Sequence, residues 1–172
     1  ALVPEDRARC GLNLGATIRS NMCTTILNKT SKFHGALSDS KAEYNYTRLM
    51  MDKMHIKATG SEQEAGSLSG GNQQKIVVGK WLLTEPEIVF LDEPTRGVDV
   101  GAKAEIYKII NDLATVGLSI IVVSSEMTEL LGLSDRILVM HEGYLSGELM
   151  RGEATEETIM HMSISHDKTA NA

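Results

Sequence analysis

Aromatic side chains are scarce: one Trp, four Tyr and two Phe among 172 residues. A surface that stacks successive bases on rings has too little material here. Basic charge is also short, with 17 Lys and Arg against 23 Asp and Glu and a formal net charge of −6. A dedicated nucleic-acid binder carries a basic face, so the balance argues against that class. No apolar run approaches the length of about 18 residues that would span a membrane. There are two cysteines, Cys10 and Cys23. They form neither a CxxC pair nor a zinc spacing, and they read as free thiols of a reducing compartment. The first residues, Ala1-Leu-Val-Pro4-Glu-Asp-Arg7, hold no initiator Met, no basic n-region and no apolar h-region. They are not a signal peptide and read like the middle of a protein.

Apolar residues make up 42% of the chain, enough for a packed core, so a disordered chain is excluded. The length suits one domain or slightly more. Residues 1–67 are polar and Met-rich, residues 68–141 alternate helices with short β-branched runs, and residues 142–172 are polar again. The last of these, His166 to Ala172, read as a frayed tail. Three apolar runs, Glu87–Asp92, Leu118–Ser124 and Arg136–Met140, have the texture of strands buried on both faces, as in parallel sheets. Ile106, Ile109, Ile110 and Leu113 form one face of a helix between the first two runs, and Gly117 closes it. Strand, helix and strand of this length make a βαβ unit. Asn72–Leu83 reads as a second helix, with Pro86 beyond its end, and Asp39–Met54 as a third, N-capped by Ser38 or Asp39.

Two strings carry chemistry. In Leu68-Ser69-Gly70-Gly71-Asn72-Gln73-Gln74-Lys75, two glycines open a helix after a serine. Glycine lets backbone approach a ligand closely, the first helical N–H groups have no internal partner, and the dipole adds positive charge. That combination suits a phosphate, to which Ser69 could donate its hydroxyl. The same residues would also make an ordinary capped helix. In Ile88-Val-Phe-Leu-Asp92-Glu93-Pro94, an apolar strand delivers two carboxylates to its C-terminal edge, where open α/β sheets bind ligands. The first acid can hold Mg²⁺, usually through water, and the second can orient or deprotonate an attacking water. A solvated acidic turn would look the same taken alone.

The two strings occur in order and are followed by Thr95-Arg-Gly97-Val-Asp99. Together they resemble the ATP-binding cassette (ABC) family: residues 68–75 its signature motif, 88–93 its Walker B strand and 96–99 its D-loop. Asn-Gln-Gln-Lys after Ser-Gly-Gly, Asp-Glu-Pro-Thr-Arg-Gly-Val-Asp-Val-Gly-Ala-Lys, and Ser-Ser-Glu-Met with Ser-Asp-Arg-Ile-Leu-Val-Met-His-Glu-Gly are similar to one subfamily. It comprises the ATPases of bacterial monosaccharide importers for ribose, galactose, xylose and related compounds, which carry two tandem cassettes. The strings resemble the second, and the likeness runs from Pro4 to about residue 160.

The phosphate loop GxxxxGK[ST] does not occur in the sequence. Without it there is no backbone cradle for the β-phosphate and no lysine on the β/γ-phosphates. The chain therefore reads as the C-terminal part of a cassette, beginning just before the Q-loop. At the Q-loop position it has Glu5 in place of the family's usual Gln. At the switch position, where most cassettes have His, it has Ser125. A hydroxyl cannot bring positive charge to a γ-phosphate, which weakens charge stabilisation in phosphoryl transfer.

The resemblance implies an α/β fold: a RecA-like, mostly parallel sheet with a helical subdomain over about residues 12–84. A core over about 85–165 would end in a hairpin near 136–149 and a helix near 154–163. It implies ATP and Mg²⁺ as cofactors and ATP hydrolysis coupled to sugar import. Ser69, Gly70, Gly71 and Gln73 would serve a nucleotide held by a partner cassette. Asp92 would hold Mg²⁺, Glu93 would face the water, and Glu5 and Ser125 would line the nucleotide. Asp99 would lie at the contact between cassettes. The implied partners are a second cassette, a membrane permease and, indirectly, a periplasmic sugar-binding protein, but no nucleic acid, at the cytoplasmic face of the membrane. Two other readings stay open: a soluble, non-transport ABC ATPase, and a non-catalytic remnant acting as an interaction module.

His34, His55, His141, His161 and His166 share no ligand spacing and read as surface residues. Met50 and Met54 read as one helix face in a core. Because this region of a cassette abuts the membrane partner, some share in docking is also expected of it.

Overall fold

The computed structural model describes residues 1–32 and 37–164. His34, His166 and the expected C-terminal tail lie outside them. The chain divides into two compact units, Ala1–Val123 and Ser124–Ala172.

In the first unit, β1 (Leu2–Val3), β4 (Ile88–Asp92) and β5 (Ser119–Val123) form a parallel sheet in the order β1-β4-β5. Leu2 pairs with Phe90, and Asp92 with Val123. The N-terminal ammonium donates to the Ile88 carbonyl at 2.7 Å, which extends this pairing. Between β1 and β4 run α1 (Ile18–Cys23), α2 (Leu27–Thr30), a short ribbon of β2 (Ser31–Lys32) and β3 (Leu37–Ser38), α3 (Ser40–Lys53) and α4 (Gly70–Leu82). Helix α5 (Val100–Thr115) then connects β4 to β5, completing the expected βαβ unit.

The helices follow their caps. Asp39 opens α3 by accepting from the amides of Lys41 and Ala42 at 3.2 and 3.3 Å. Asp99 opens α5 by accepting from Ala102 N at 2.9 Å. Gly117, at φ +94°, ends the α5 connection in the left-handed conformation a Cβ would resist. Ile106, Ile110 and Leu113 of α5 are buried, as are Met50 and Met54 at the end of α3. Helix α4 begins at Gly70, two residues earlier than the apolar pattern suggests, because both glycines lie inside its first turn.

Strand burial departs from expectation. Val89 and Leu91 are each 2% exposed, while Ile88 and Phe90 on the opposite face are 45% and 43% exposed. Val89 and Leu91 line the same interior as Val78 of α4 and Ile106 and Ile110 of α5. Burying each contributes about 1.5–3 kcal/mol. The apolar run thus marks a strand correctly, but only one of its faces is covered among the described residues.

The second unit contains α6 (Met127–Leu133), β6 (Arg136–His141), β7 (Tyr144–Met150) and α7 (Glu156–Ile164). The third apolar run is therefore not a parallel strand. It pairs antiparallel with β7, in the hairpin expected there. The reason is local: Glu142 and Gly143, at φ +47° and +85°, form a two-residue loop whose twist suits a hairpin. Ile137, Val139, Leu149 and Ile159 make this unit's core.

Candidate functional site

Ser69 is the N-cap of α4 and is exposed. Its hydroxyl does not cap the helix; it accepts from Asn72 Nδ2 at 3.0 Å. The first intrahelical bond runs from Gln73 N to Ser69 O, at 2.9 Å. The amides of Gly70, Gly71 and Asn72 lie ahead of it, where a helix has no internal acceptor to offer. Such a helix start can receive an anion; here Ser69 is exposed, Gly70 half-buried and Gly71 buried.

Gly71 is the point of closest approach behind this turn. A Cβ there would overlap the Ala102 Cβ of α5, so the glycine lets α4 and α5 pack together. The same two helices are joined by charge. Lys75, 2% exposed, donates to Glu105 Oε2 at 2.5 Å and to the His55 carbonyl at 3.1 Å. Lys57 reaches the other Glu105 oxygen at 3.2 Å. Hydrogen bonding from Lys75, then from Lys57, holds the Glu105 carboxyl below its ordinary range.

Gln73 is held inside the chain. Its Nε2 donates to Ala65 O at 3.3 Å and Leu68 O at 3.1 Å, and its Oε1 accepts from Arg7 Nε at 3.4 Å. Arg7 starts a π-helical turn, Arg7–Gly11, whose N-cap Asp6 accepts from the amides of Ala8 and Arg9 at 3.1 and 3.0 Å. Lys80 of α4 donates to the Gly11 carbonyl at the other end of that turn, and burial pushes the Lys80 ammonium below its ordinary pKa. Glu5, just upstream, is ion-paired with Arg96.

Asp92 ends β4 and Glu93 follows at φ +45°, a left-handed conformation uncommon outside glycine, Asn and Asp. Its amide donates to the Val123 carbonyl at 2.8 Å, so the bend begins where the sheet still holds it. Both acids are partly exposed at the C-terminal edge of the sheet. The chain then turns through residues 94–97, with bonds Arg96 N to Glu93 O at 3.1 Å and Val98 N to Thr95 O at 3.2 Å. Among the described residues no three His, Cys, Asp or Glu side chains gather as a metal cage. A Mg²⁺ ion needs no such cage; it keeps waters and is held by one or two carboxylates plus substrate phosphates. Asp92, the acid expected to hold Mg²⁺, could serve as such a carboxylate.

The expected site residues thus fall into distinct groups. Glu5, Ser69–Gln73 and the turn before Asp99 share one hydrogen-bonded neighbourhood through Arg7 and Arg96. Asp92 and Glu93 stand at the sheet edge. Ser125 is exposed and belongs to the second unit. Cys23 is buried, and desolvation raises its thiol pKa; Cys10 is exposed. Sequence reading missed Arg7, Arg96, Lys75 and Glu105 as parts of the site. Arg7 stood in the string around Glu5, but its partners are up to 90 positions away and two of them are backbone carbonyls, which leave no trace in a sequence.

Comparison with known proteins bears on the family and the fold. The ABC transporter family model matches residues 4–96. The ribose import ATP-binding protein RbsA of Caldanaerobacter subterraneus subsp. tengcongensis is 51% identical over 156 residues, 91% of this chain and 31% of that protein. The RbsA of Halalkalibacterium halodurans is 52% identical over 166 residues, 96% of this chain and 33% of that protein. The xylose import ATP-binding protein XylG of Moorella thermoacetica is 51% identical over 160 residues, 93% of this chain and 31% of that protein. The chain thus spans about a third of the length of these curated relatives. Among solved structures, MJ1267, an ATP-binding cassette of an ABC transporter, superposes with a TM-score of 0.75 at 18% identity, covering 95% of this chain and 68% of that one. The dimeric cassette MJ0796 in a post-hydrolysis state with ADP and Pi gives 0.66 at 21% identity, over 81% of this chain and 59% of that one. The family model covers more than half of the chain, over the stretch that holds Glu5, the signature-like helix and the Asp92–Glu93 strand, and the chain belongs to the ABC transporter family as part of an ATP-binding cassette.

Proposed function

We propose that this chain is part of the ATPase subunit of a bacterial monosaccharide importer, from the C-terminal part of its second cassette. The reading rests on one combination above all. A Ser-Gly-Gly helix start, with Ser69 exposed and its first amides ahead of the helical ladder, stands in a chain about half identical to ribose and xylose import ATP-binding proteins.

In a head-to-tail pair of cassettes, Ser69, Gly70 and Gly71 would meet the phosphates of a nucleotide seated on the other cassette. Gln73 would hold that turn in shape through its bonds to Ala65 and Leu68. Asp92 would hold Mg²⁺ together with the phosphates of this cassette's own nucleotide. The metal's contribution, once bound, is to neutralise charge on the transferring phosphoryl group. Glu93 would accept a hydrogen bond from the attacking water and orient it. Glu5 and Ser125 would border that nucleotide, and Asp99 would lie near the second cassette. The phosphate loop GxxxxGK[ST], which supplies most contacts to the β/γ-phosphates, does not occur in these 172 residues.

The partners on this reading are a second cassette, a membrane permease and, through the permease, a periplasmic sugar-binding protein. The location would be peripheral, at the cytoplasmic face of the membrane. No helix among the described residues is long and apolar enough to cross a membrane. The test is to express the full-length gene product with its permease in membrane vesicles and measure ATP hydrolysis and uptake of labelled ribose, xylose or galactose. ATP-dependent uptake of one of them is the expected result. Hydrolysis with no membrane association would favour a soluble ABC ATPase instead.

A further inference from the structure

Outside the residues assigned above, one side chain ties two distant segments together. Arg7 is partly buried, and its guanidinium serves two segments far apart in the chain. Nη1 donates to Arg96 O at 2.8 Å and Nη2 to Gly97 O at 3.2 Å, both in the turn after β4. Nε donates to Gln73 Oε1 at 3.4 Å, in the first turn of α4. Gly97 sits at φ +66°, in the middle of what Arg7 grips. Gly70 gives the guanidinium its space: a Cβ there would lie 2.6 Å from Nη2 and 3.0 Å from the Gly97 carbonyl. A second tie runs beside the first, the ion pair from Glu5 to Arg96.

We propose that Arg7 is a positioning residue that clamps the signature-like turn of α4 to the turn after β4, with the Glu5–Arg96 pair as a second strap. The clamp keeps Ser69–Gly71 and Arg96–Asp99 at one fixed spacing. It rests on the reading above, in which the first segment meets a nucleotide and the second a neighbouring cassette. Arginine suits the task because its planar fork carries five donors and can reach two carbonyls and an amide oxygen together. Lysine offers the same charge from a single nitrogen and cannot span these acceptors. The carboxylate of Glu5 also gains a defined job: it holds the side chain of Arg96 while Arg7 holds that residue's carbonyl.

The test is amide hydrogen exchange on the full-length gene product, comparing wild type with Arg7→Lys, Glu5→Gln and the swap Glu5→Arg/Arg96→Glu. The reporters are the amides of Gln73, Arg96 and Val98, each hydrogen-bonded within the two clamped turns. Charge-assisted bonds of this kind predict that Arg7→Lys speeds exchange at all three by about tenfold or more, leaving the β6–β7 hairpin as it was. Glu5→Gln speeds only Arg96 and Val98, and the swap returns them towards the wild-type rate. Unchanged exchange in Arg7→Lys overturns the clamp, as does acceleration spread evenly over the β1-β4-β5 sheet. Failure of the swap to restore Arg96 and Val98 overturns the strap. ATP hydrolysis is measured on the same samples. A wild-type protein that hydrolyses none would overturn the transporter reading, while the exchange rates judge the clamp independently.

Discussion

Glu93 shows what a single residue gives up for its position. A non-glycine side chain at φ +45° stores strain of the order of 1–3 kcal/mol, and such outliers collect at functional sites. Asparagine tolerates that conformation better, so Glu93→Asn is expected to raise stability by about 0.5–1 kcal/mol while removing the carboxylate that would orient water. Urea unfolding and ATPase assays on the same variant check both halves; a less stable variant would show that the bend carries no strain. Glu105 gives a pH signature. Its pKa is lowered in the folded state by Lys75 and Lys57, so its contribution is fully present above the unfolded carboxyl value of about 4.3 and is lost as pH falls through the lowered folded one. With a side chain 44% exposed, that contribution is small, roughly 0–1 kcal/mol. Glu105→Ala should also leave the buried Lys75 ammonium with only the His55 carbonyl, at an additional cost of about 1–3 kcal/mol. Denaturant midpoints from about pH 3 to 7 should show both the loss and a flatter acid limb.

At the scale of elements, the packing of α4 on α5 depends on Gly71. Its replacement by Ala puts a methyl into Ala102, and the helices must separate, at about 1–3 kcal/mol. Thermal unfolding measures the loss, and an unchanged midpoint would contradict the close approach. These elements were largely legible in the sequence. The Ile106–Leu113 periodicity marks α5, and Ser38 or Asp39 marks the start of α3 because caps are local chemistry; the capping role of Asp99 emerges only in the structure. What a strand faces is not local. Ile88 and Phe90 look like Val89 and Leu91 in the sequence, and only the placement of α4 and α5 separates exposed from buried. The same limit applies within the candidate site. Ser69–Gly71 and Asp92–Glu93 are legible as candidates because the two strings occur together and in order, although each alone would pass for a capped helix or an acidic turn. Arg7 does not, since its value lies in carbonyls 89 and 90 positions away.

For the whole molecule, the proposed function would have the sequence contribute to two composite sites. The 172 residues alone should not bind Mg-ATP with micromolar affinity, because no GxxxxGK[ST] loop occurs in them. Titration calorimetry tests this, and a micromolar isotherm would refute it. In the full-length gene product the two sites should also differ. On the proposed function Ser125 would stand where a histidine stabilises charge, and removing such a contact costs about 10²–10³ in rate. This cassette's own site is therefore expected to turn over slowly, so Glu93→Gln should leave much of the hydrolysis. The measurement that bears most directly on the account is steady-state ATP hydrolysis by Ser69→Arg, in membranes with the permease. An arginine at the start of α4 fills the space a phosphate needs without entering the core. The account predicts a folded protein that has lost nearly all hydrolysis and uptake; near-normal rates would contradict it.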